Sequence, residues 1–74
     1  MFGSTAVHQP QRRARALYAW RDAELLVQLR WDIVLEADRA SRPGAFAAYV
    51  AALDAEAAAA GELADAHSGL AEAA

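Results

Sequence analysis

Apolar residues follow the helical period over most of this chain. From Pro10 to Ala40 there is no internal Gly or Pro, and good helix formers such as Ala, Leu, Arg, Glu and Gln are common. No alternation typical of a strand continues for more than a few residues. The pattern therefore predicts a first helix over about residues 10–40, with Pro10 in its first turn and Pro43 beyond its end.

This first helix has two apolar bands. When residues are placed at intervals of about 100°, one band, called here the Trp band, contains Leu17, Trp20, Val27, Trp31 and Val34. The opposite band, called here the Leu band, contains Tyr18, Leu25, Leu26, Leu29 and Ile33. A surface helix normally has a single apolar stripe, which faces the core. Two bands need cover from two sides, and the rest of so short a chain can cover only one.

A turn is predicted at residues 41–44, Ser-Arg-Pro-Gly. Ser41 is a candidate N-cap, with Pro43 in the first turn of a second helix over about residues 45–67. Gly61 either ends this helix or interrupts it, and Ser68-Gly69 is the stronger stop signal. The bulky residues of its single stripe are Phe46, Tyr49, Val50 and Leu53, with only alanines beyond them.

A connection this short makes the two helices antiparallel neighbours. A turn near residue 42 predicts that Trp31 faces residues 52–55 and that Trp20 faces Ala64, large side chains against small ones. The intrachain core would then combine the Trp band with the stripe of the second helix, and the Leu band would contact another chain. The opposite assignment of the two bands is also open.

The predicted fold is all-α: an antiparallel helical hairpin over residues 10–68 that dimerises into a four-helix bundle. Residues 1–9 are expected to form a flexible arm and residues 69–74 a frayed tail. Seventy-four residues allow one domain with a thin core, and there is no cysteine to stabilise it by a disulfide or a thiolate metal site. Such small folds often depend on tight helix packing or on oligomerisation.

Location and membrane association follow from apolar runs. The longest run, Ala45 to Leu53, is too short to span a bilayer, and the N-terminus lacks the apolar core of a secretion signal. We therefore expect a cytoplasmic protein with no membrane partner.

Charge is divided unevenly along the chain. Residues 1–21 carry +4 and residues 22–74 carry −7, for the total of −3. The basic residues of the first part form a candidate anion-binding cluster: Arg12, Arg13, Arg15 and Arg21. This cluster could bind nucleic-acid phosphates, or it could pair with Glu62, Asp65 and Glu72 of the second helix. Pairing is favoured because the body of the protein is acidic.

Candidate chemistry is sparse. The serines lie in a predicted tail, turn and helix end, and the adjacent His67 and Ser68 lack the geometry of a base that activates a hydroxyl. The Glu-x-x-His pattern of two-metal bundles is absent from the sequence, and Asp65 and His67 diverge by about 200° around the helix. Glycine-rich phosphate loops are also absent. We therefore expect no catalytic activity, no metal and no cofactor.

Two segments resemble a known family. Residues 17–22, Leu-Tyr-Ala-Trp-Arg-Asp, together with residues 46–54 and Gly61, resemble the aromatic-rich helical segment of nitrile hydratase β and accessory subunits. The SH3-like barrel and the metal-binding cysteine motif of that family have no counterpart in this sequence, so the resemblance implies no site residue.

The sequence thus predicts a non-catalytic helical interaction protein. Its partner would be a second copy of itself, as a homodimer, or a larger protein on which it docks as an adaptor. Two alternatives are an accessory subunit of an enzyme complex and a nucleic-acid-binding regulator that uses the arginine cluster.

Overall fold

The protein is an antiparallel pair of long helices. The computed structural model describes the backbone of residues 4–73 and the side chains of residues 11–68. Helix α1 spans Ser4–Glu36, helix α2 spans Arg42–Ala73, and the two pack against each other along a hairpin of 58 × 17 × 14 Å. The predicted all-α helical hairpin is confirmed.

The helix ends differ from those predicted. Helix α1 begins at Ser4, so Pro10 is not in its first turn, and the backbone of residues 4–9 is helical. Helix α2 passes through Gly61 and Gly69 to Ala73, and no described residue of the chain has a positive φ. A glycine costs a helix only about 1 kcal/mol relative to alanine, and the surrounding alanines favour its continuation. The ends of the predicted arm and tail, residues 1–3 and 74, lie outside the described residues.

The connection lies earlier in the chain than predicted because Asp38 ends α1. Its carboxylate oxygen Oδ1 accepts a hydrogen bond of 2.8 Å from the backbone N–H of Ser41. This bond holds the pKa of Asp38 below its ordinary value, and a hydrogen bond from the Ser41 side chain adds a smaller effect in the same direction. The Arg42 guanidinium donates to the carbonyl of Ala37 over 3.2 Å, which gives the end of α1 a hydrogen-bond partner. Ser41 accepts the first bond of α2, from the Ala45 N–H at 3.0 Å.

The earlier turn shifts the register between the helices. Trp20 bonds to Glu56 instead of facing Ala64, and the Trp31 ring lies 5.0 Å from the Tyr49 ring instead of facing residues 52–55. Both contacts lie earlier in α2 than the predicted positions. The shift has the same cause as the helix ends: the chain reverses around residues 37–41 and not around residue 42.

The packed residues of the two helices follow the alternating three- and four-residue spacing of a coiled coil. On α1 the buried and half-buried residues at this spacing are Ala16, Trp20, Ala23, Val27, Arg30 and Val34, and Ala37 continues the spacing just beyond the end of the helix. On α2 they are Ala45, Tyr49, Ala52, Glu56, Ala59, Leu63 and Ala66. Most of the α2 seam is alanine, so the two backbones can approach closely but bury little apolar area.

The stripe expected on α2 is therefore rotated. Phe46, Val50 and Leu53 were predicted to be core, yet they are 50%, 40% and 38% exposed, whereas Tyr49 is half-buried. The alanines at seven-residue spacing take the packed positions and turn these larger side chains to the flank. In residues 11–68 the buried apolar residues are Val34, Ala52, Ala59 and Ala66, and no large side chain is fully buried.

Candidate interaction surfaces

The Leu band lies on the side of α1 that faces away from α2. The centre of the band is about 130° around the helix from the packed seam, at about 100° per residue. Its members are exposed to the following extents: Tyr18 65%, Leu25 65%, Leu26 38%, Leu29 54% and Ile33 40%. Single exposed apolar residues are normal on a protein surface, but a continuous stripe of them is typical of an interaction site.

The Trp band lies on the α2 side of α1. Leu17, Trp20 and Val27 are half-buried and Val34 is buried. Trp31 is 41% exposed, although its ring packs on Tyr49. The structure thus places one apolar band against α2 and leaves the other on the surface of the single chain.

A second group of exposed apolar residues, called here the turn patch, lies on the halves of the two helices nearer the connection. Its members are Trp31, Leu35, Phe46, Val50 and Leu53. The Tyr49 ring joins the two helices within it, with ring centroids 5.0 Å from Trp31 and 6.0 Å from Phe46. An adjoining open cleft of about 530 Å³ is lined by Trp31, Val34, Arg39, Arg42, Pro43 and Phe46. The sequence interpretation missed this surface, and the alanines at seven-residue spacing on α2 were the signal that could have revealed it.

Among the side chains of residues 11–68, one hydrogen bond crosses the helix–helix seam. The indole N–H of Trp20 donates a hydrogen bond of 3.0 Å to Oε2 of Glu56, and both residues are half-buried. Glu56 occupies a seam position that apolar periodicity would assign to the surface, so no sequence pattern pointed to it. The bond joins residues 36 positions apart and satisfies the one polar atom of the tryptophan.

Two arginines of the cluster, Arg12 and Arg15, share a cleft with acidic side chains. Arg12, Arg13, Arg15 and Arg21 are all exposed. A cleft of about 430 Å³ between the two helices is lined by Arg12, Arg15, Ala16, Ala19, Glu62 and Asp65. Because charges of both signs share this cleft, the positive potential that would attract a nucleic acid is reduced. The side chain of Glu72 lies outside the described residues.

The described side chains supply no metal centre. Among them, no group of three or more His, Cys, Asp and Glu residues is placed to hold an ion. His67 is exposed, and its Nδ1 lies 3.0 Å from the carbonyl oxygen of Leu63 within the same helix. Asp22, Glu24 and Glu36 are exposed on α1. The features that stand out among the described side chains are therefore contact surfaces.

Two further findings bear on the class of protein. Within residues 4–73, neither helix contains a stretch that is both long and apolar enough to cross a bilayer. No protein-family profile, no curated protein and no solved structure matches this chain. The resemblance to nitrile hydratase subunits is therefore not supported by a match to a family profile.

Proposed function

We propose that this protein is a non-catalytic helical interaction module that assembles with a second copy of itself through the Leu band. The observation that carries the proposal is the exposure of this band on a helix whose opposite face is already occupied by α2. Covering apolar surface stabilises by about 25 cal/mol per Å². Tyr18 and Leu25, at 65% exposure each, and Leu29, at 54%, have the most to gain.

The thin core of the hairpin supports the same conclusion. The buried apolar residues among residues 11–68 are one valine and three alanines. The radius of gyration is 16.9 Å, whereas a compact domain of this length has about 11 Å. A chain this small that buries so little needs an additional source of stability, and association is the source that its surface offers.

The assembly we propose contains four helices. The Leu band and the packed seam lie about 130° apart on α1, so two copies place their α1 helices in the centre and their α2 helices on the outside. This is a flattened four-helix bundle, since faces near 90° apart would be needed for a square one.

The absence of cysteine suits a reducing compartment, and we propose the cytoplasm as the location.

Size-exclusion chromatography with light scattering tests self-association. We expect the wild-type chain to have the mass of a dimer at micromolar concentration and Leu29→Asp to have the mass of a monomer, because the new carboxylate cannot be buried unpaired. Ala57→Asp is the control: residue 57 is exposed on α2, outside both the packed seam and the Leu band, and the change also introduces one aspartate into a helix. A wild-type protein that is monomeric and folded would contradict the proposal.

The turn patch supports a second candidate, an adaptor that docks on a larger protein. Phe46 and Leu35 are 50% and 64% exposed, at the turn end of the hairpin and away from the Leu band. The patch would therefore remain accessible in a dimer. An accessory subunit of an enzyme complex is one form of this candidate. The accessory-subunit candidate predicts that the protein co-purifies with a larger chain and is poorly soluble when produced alone. Self-association predicts neither result.

A further inference from the structure

Charged side chains flank the Leu band in an order that favours an antiparallel second copy. Arg15 and Arg21 lie toward its N-terminal end, Asp32 and Glu36 lie toward its C-terminal end, and all four are exposed. We propose that two copies pair through their Leu bands in antiparallel orientation, with the twofold axis near Leu26. This proposal rests on the self-association proposed above. A parallel copy in register would instead place each charge beside its own duplicate.

Three pairs of opposite charge on α1 share this centre. The midpoint of each pair along the chain falls on Leu26 or within one residue of it; the pairs are Arg15–Glu36, Arg21–Asp32 and Asp22–Arg30. In a symmetric antiparallel dimer each pair forms twice, between copies. A twofold interface requires a surface that is complementary to itself, and this charge order has that property. An unrelated partner would not require it.

The positions of the charges around the helix agree with the same arrangement. Arg21 and Asp32 lie about 20° apart on one flank of α1, and antiparallel helices meet along the same flank. Asp22 lies within the band itself, where an unpaired carboxylate would be costly to bury. Arg30 of the second copy lies at the same level along the helix axis but about 80° further round, toward the α2 seam, so its long side chain must extend to the edge of the band to compensate that charge.

The apolar side chains fill the space between the charges. An axis near Leu26 brings Leu25, Leu26 and Leu29 of the two copies together at the centre and directs Tyr18 toward Ile33 of the second copy. The contact from Arg15 to Glu36 is about 32 Å long at 1.5 Å per residue. The apolar centre supplies the affinity, and the charges select the orientation.

Single cysteines test the orientation, because the chain has none of its own. In the antiparallel dimer, two copies of residue 18, or two copies of residue 33, lie about 20 Å or more apart along the helix axis. We therefore expect neither Tyr18→Cys nor Ile33→Cys to link to itself through a short thiol–thiol cross-linker. A mixture of the two variants should link, and Leu26→Cys should link to itself. The same variants carrying Leu29→Asp control for collisional linking, and circular dichroism verifies helix content.

Two outcomes would overturn the orientation in different ways. Efficient self-linking of Tyr18→Cys would show a parallel pair, which leaves self-association intact but removes the antiparallel register. A chain that remains monomeric by light scattering and shows no linking at any position would remove both proposals.

Charge reversal provides an independent test at positions outside the Arg12–Asp65 cleft. Arg21→Glu and Asp32→Arg should each weaken the dimer about tenfold, because each turns two attractive pairs into two repulsive ones. Combined in one chain, the two changes restore opposite charges between antiparallel copies and should restore wild-type affinity. In a parallel dimer neither single change should weaken binding. If the dimer affinity of the double variant fell by as much as the two single changes together, the proposed register would be overturned.

Discussion

At the scale of single residues, the Trp20–Glu56 hydrogen bond joins the two helices through their described side chains. It links the two helices over 3.0 Å inside a seam that is otherwise apolar apart from Arg30. A charged acceptor makes a stronger bond than a neutral one, and removal of one partner leaves the other half-buried without a hydrogen bond. We infer that this pair helps to select the register, which the alanines of α2 specify only weakly.

Glu56→Ala should therefore destabilise the hairpin. We expect the free energy of unfolding to fall by about 1 kcal/mol, because the half-buried indole N–H loses a charged acceptor that water replaces only in part. Urea denaturation followed by tryptophan fluorescence at fixed protein concentration measures it. Glu24→Ala, which removes an exposed glutamate from α1, is the control and should have little effect. Equal destabilisation by both changes would show that the bond contributes nothing specific.

At the scale of the elements, the two helices differ in what they contribute. Helix α1 carries the tryptophans and both apolar bands, whereas α2 presents a seam dominated by alanine. Helix α2 also carries Gly61 in its interior, where an added Cβ would meet no atom within 4 Å. This glycine has a helical conformation without positive φ, so its flexibility has no structural use there.

Gly61→Ala should stabilise the protein. Alanine has the higher helix propensity and the lower entropy when unfolded, so we expect a gain of about 1 kcal/mol in the free energy of unfolding. Chemical denaturation measures the change. Gly44→Ala is a useful comparison, because Gly44 also has open space but lies in the first turn of α2, where the gain should be smaller. A loss of stability in Gly61→Ala would indicate that the glycine allows a close contact with a partner.

At the scale of the whole molecule, the hairpin is long and thin, 58 Å by 17 Å by 14 Å. A rod of this shape leaves most of its residues near solvent, and even Val34, in the seam, remains 8% exposed. If the proposed dimer forms, folding and association are expected to be coupled, because a second copy would cover the apolar face that the hairpin cannot cover itself.

The melting temperature should consequently rise with protein concentration. Mass action stabilises the folded form of any protein that associates only when folded. Circular dichroism melts over a hundredfold range of concentration test this, and the Ala57→Asp control should show the same dependence on concentration as the wild type. Leu29→Asp should melt at a lower temperature that no longer depends on concentration. A wild-type melting temperature that is independent of concentration would argue against coupled association.

Much of this architecture follows from local sequence signals. Helical periodicity is a property of each segment alone, so the two helices, the short connection between them and the two apolar bands of α1 were predictable. The tertiary structure decided where the helices end, because Asp38 competes for backbone N–H groups that helical propensity would assign to α1. That competition also moved the turn and hence the register.

The packed face of α2 was likewise decided by tertiary structure. Alanine contributes little to the apolar periodicity of a helix, so the larger residues Phe46, Val50 and Leu53 determined which face of α2 was predicted to be packed. Close approach of two backbones, however, selects small side chains such as Ala52, Ala59 and Ala66 and turns the larger ones to the flank. The placement of Glu56 opposite Trp20 depends on both helices at once. Pairwise contacts of this kind leave no periodic trace in either segment, which is why only the folded hairpin determines them.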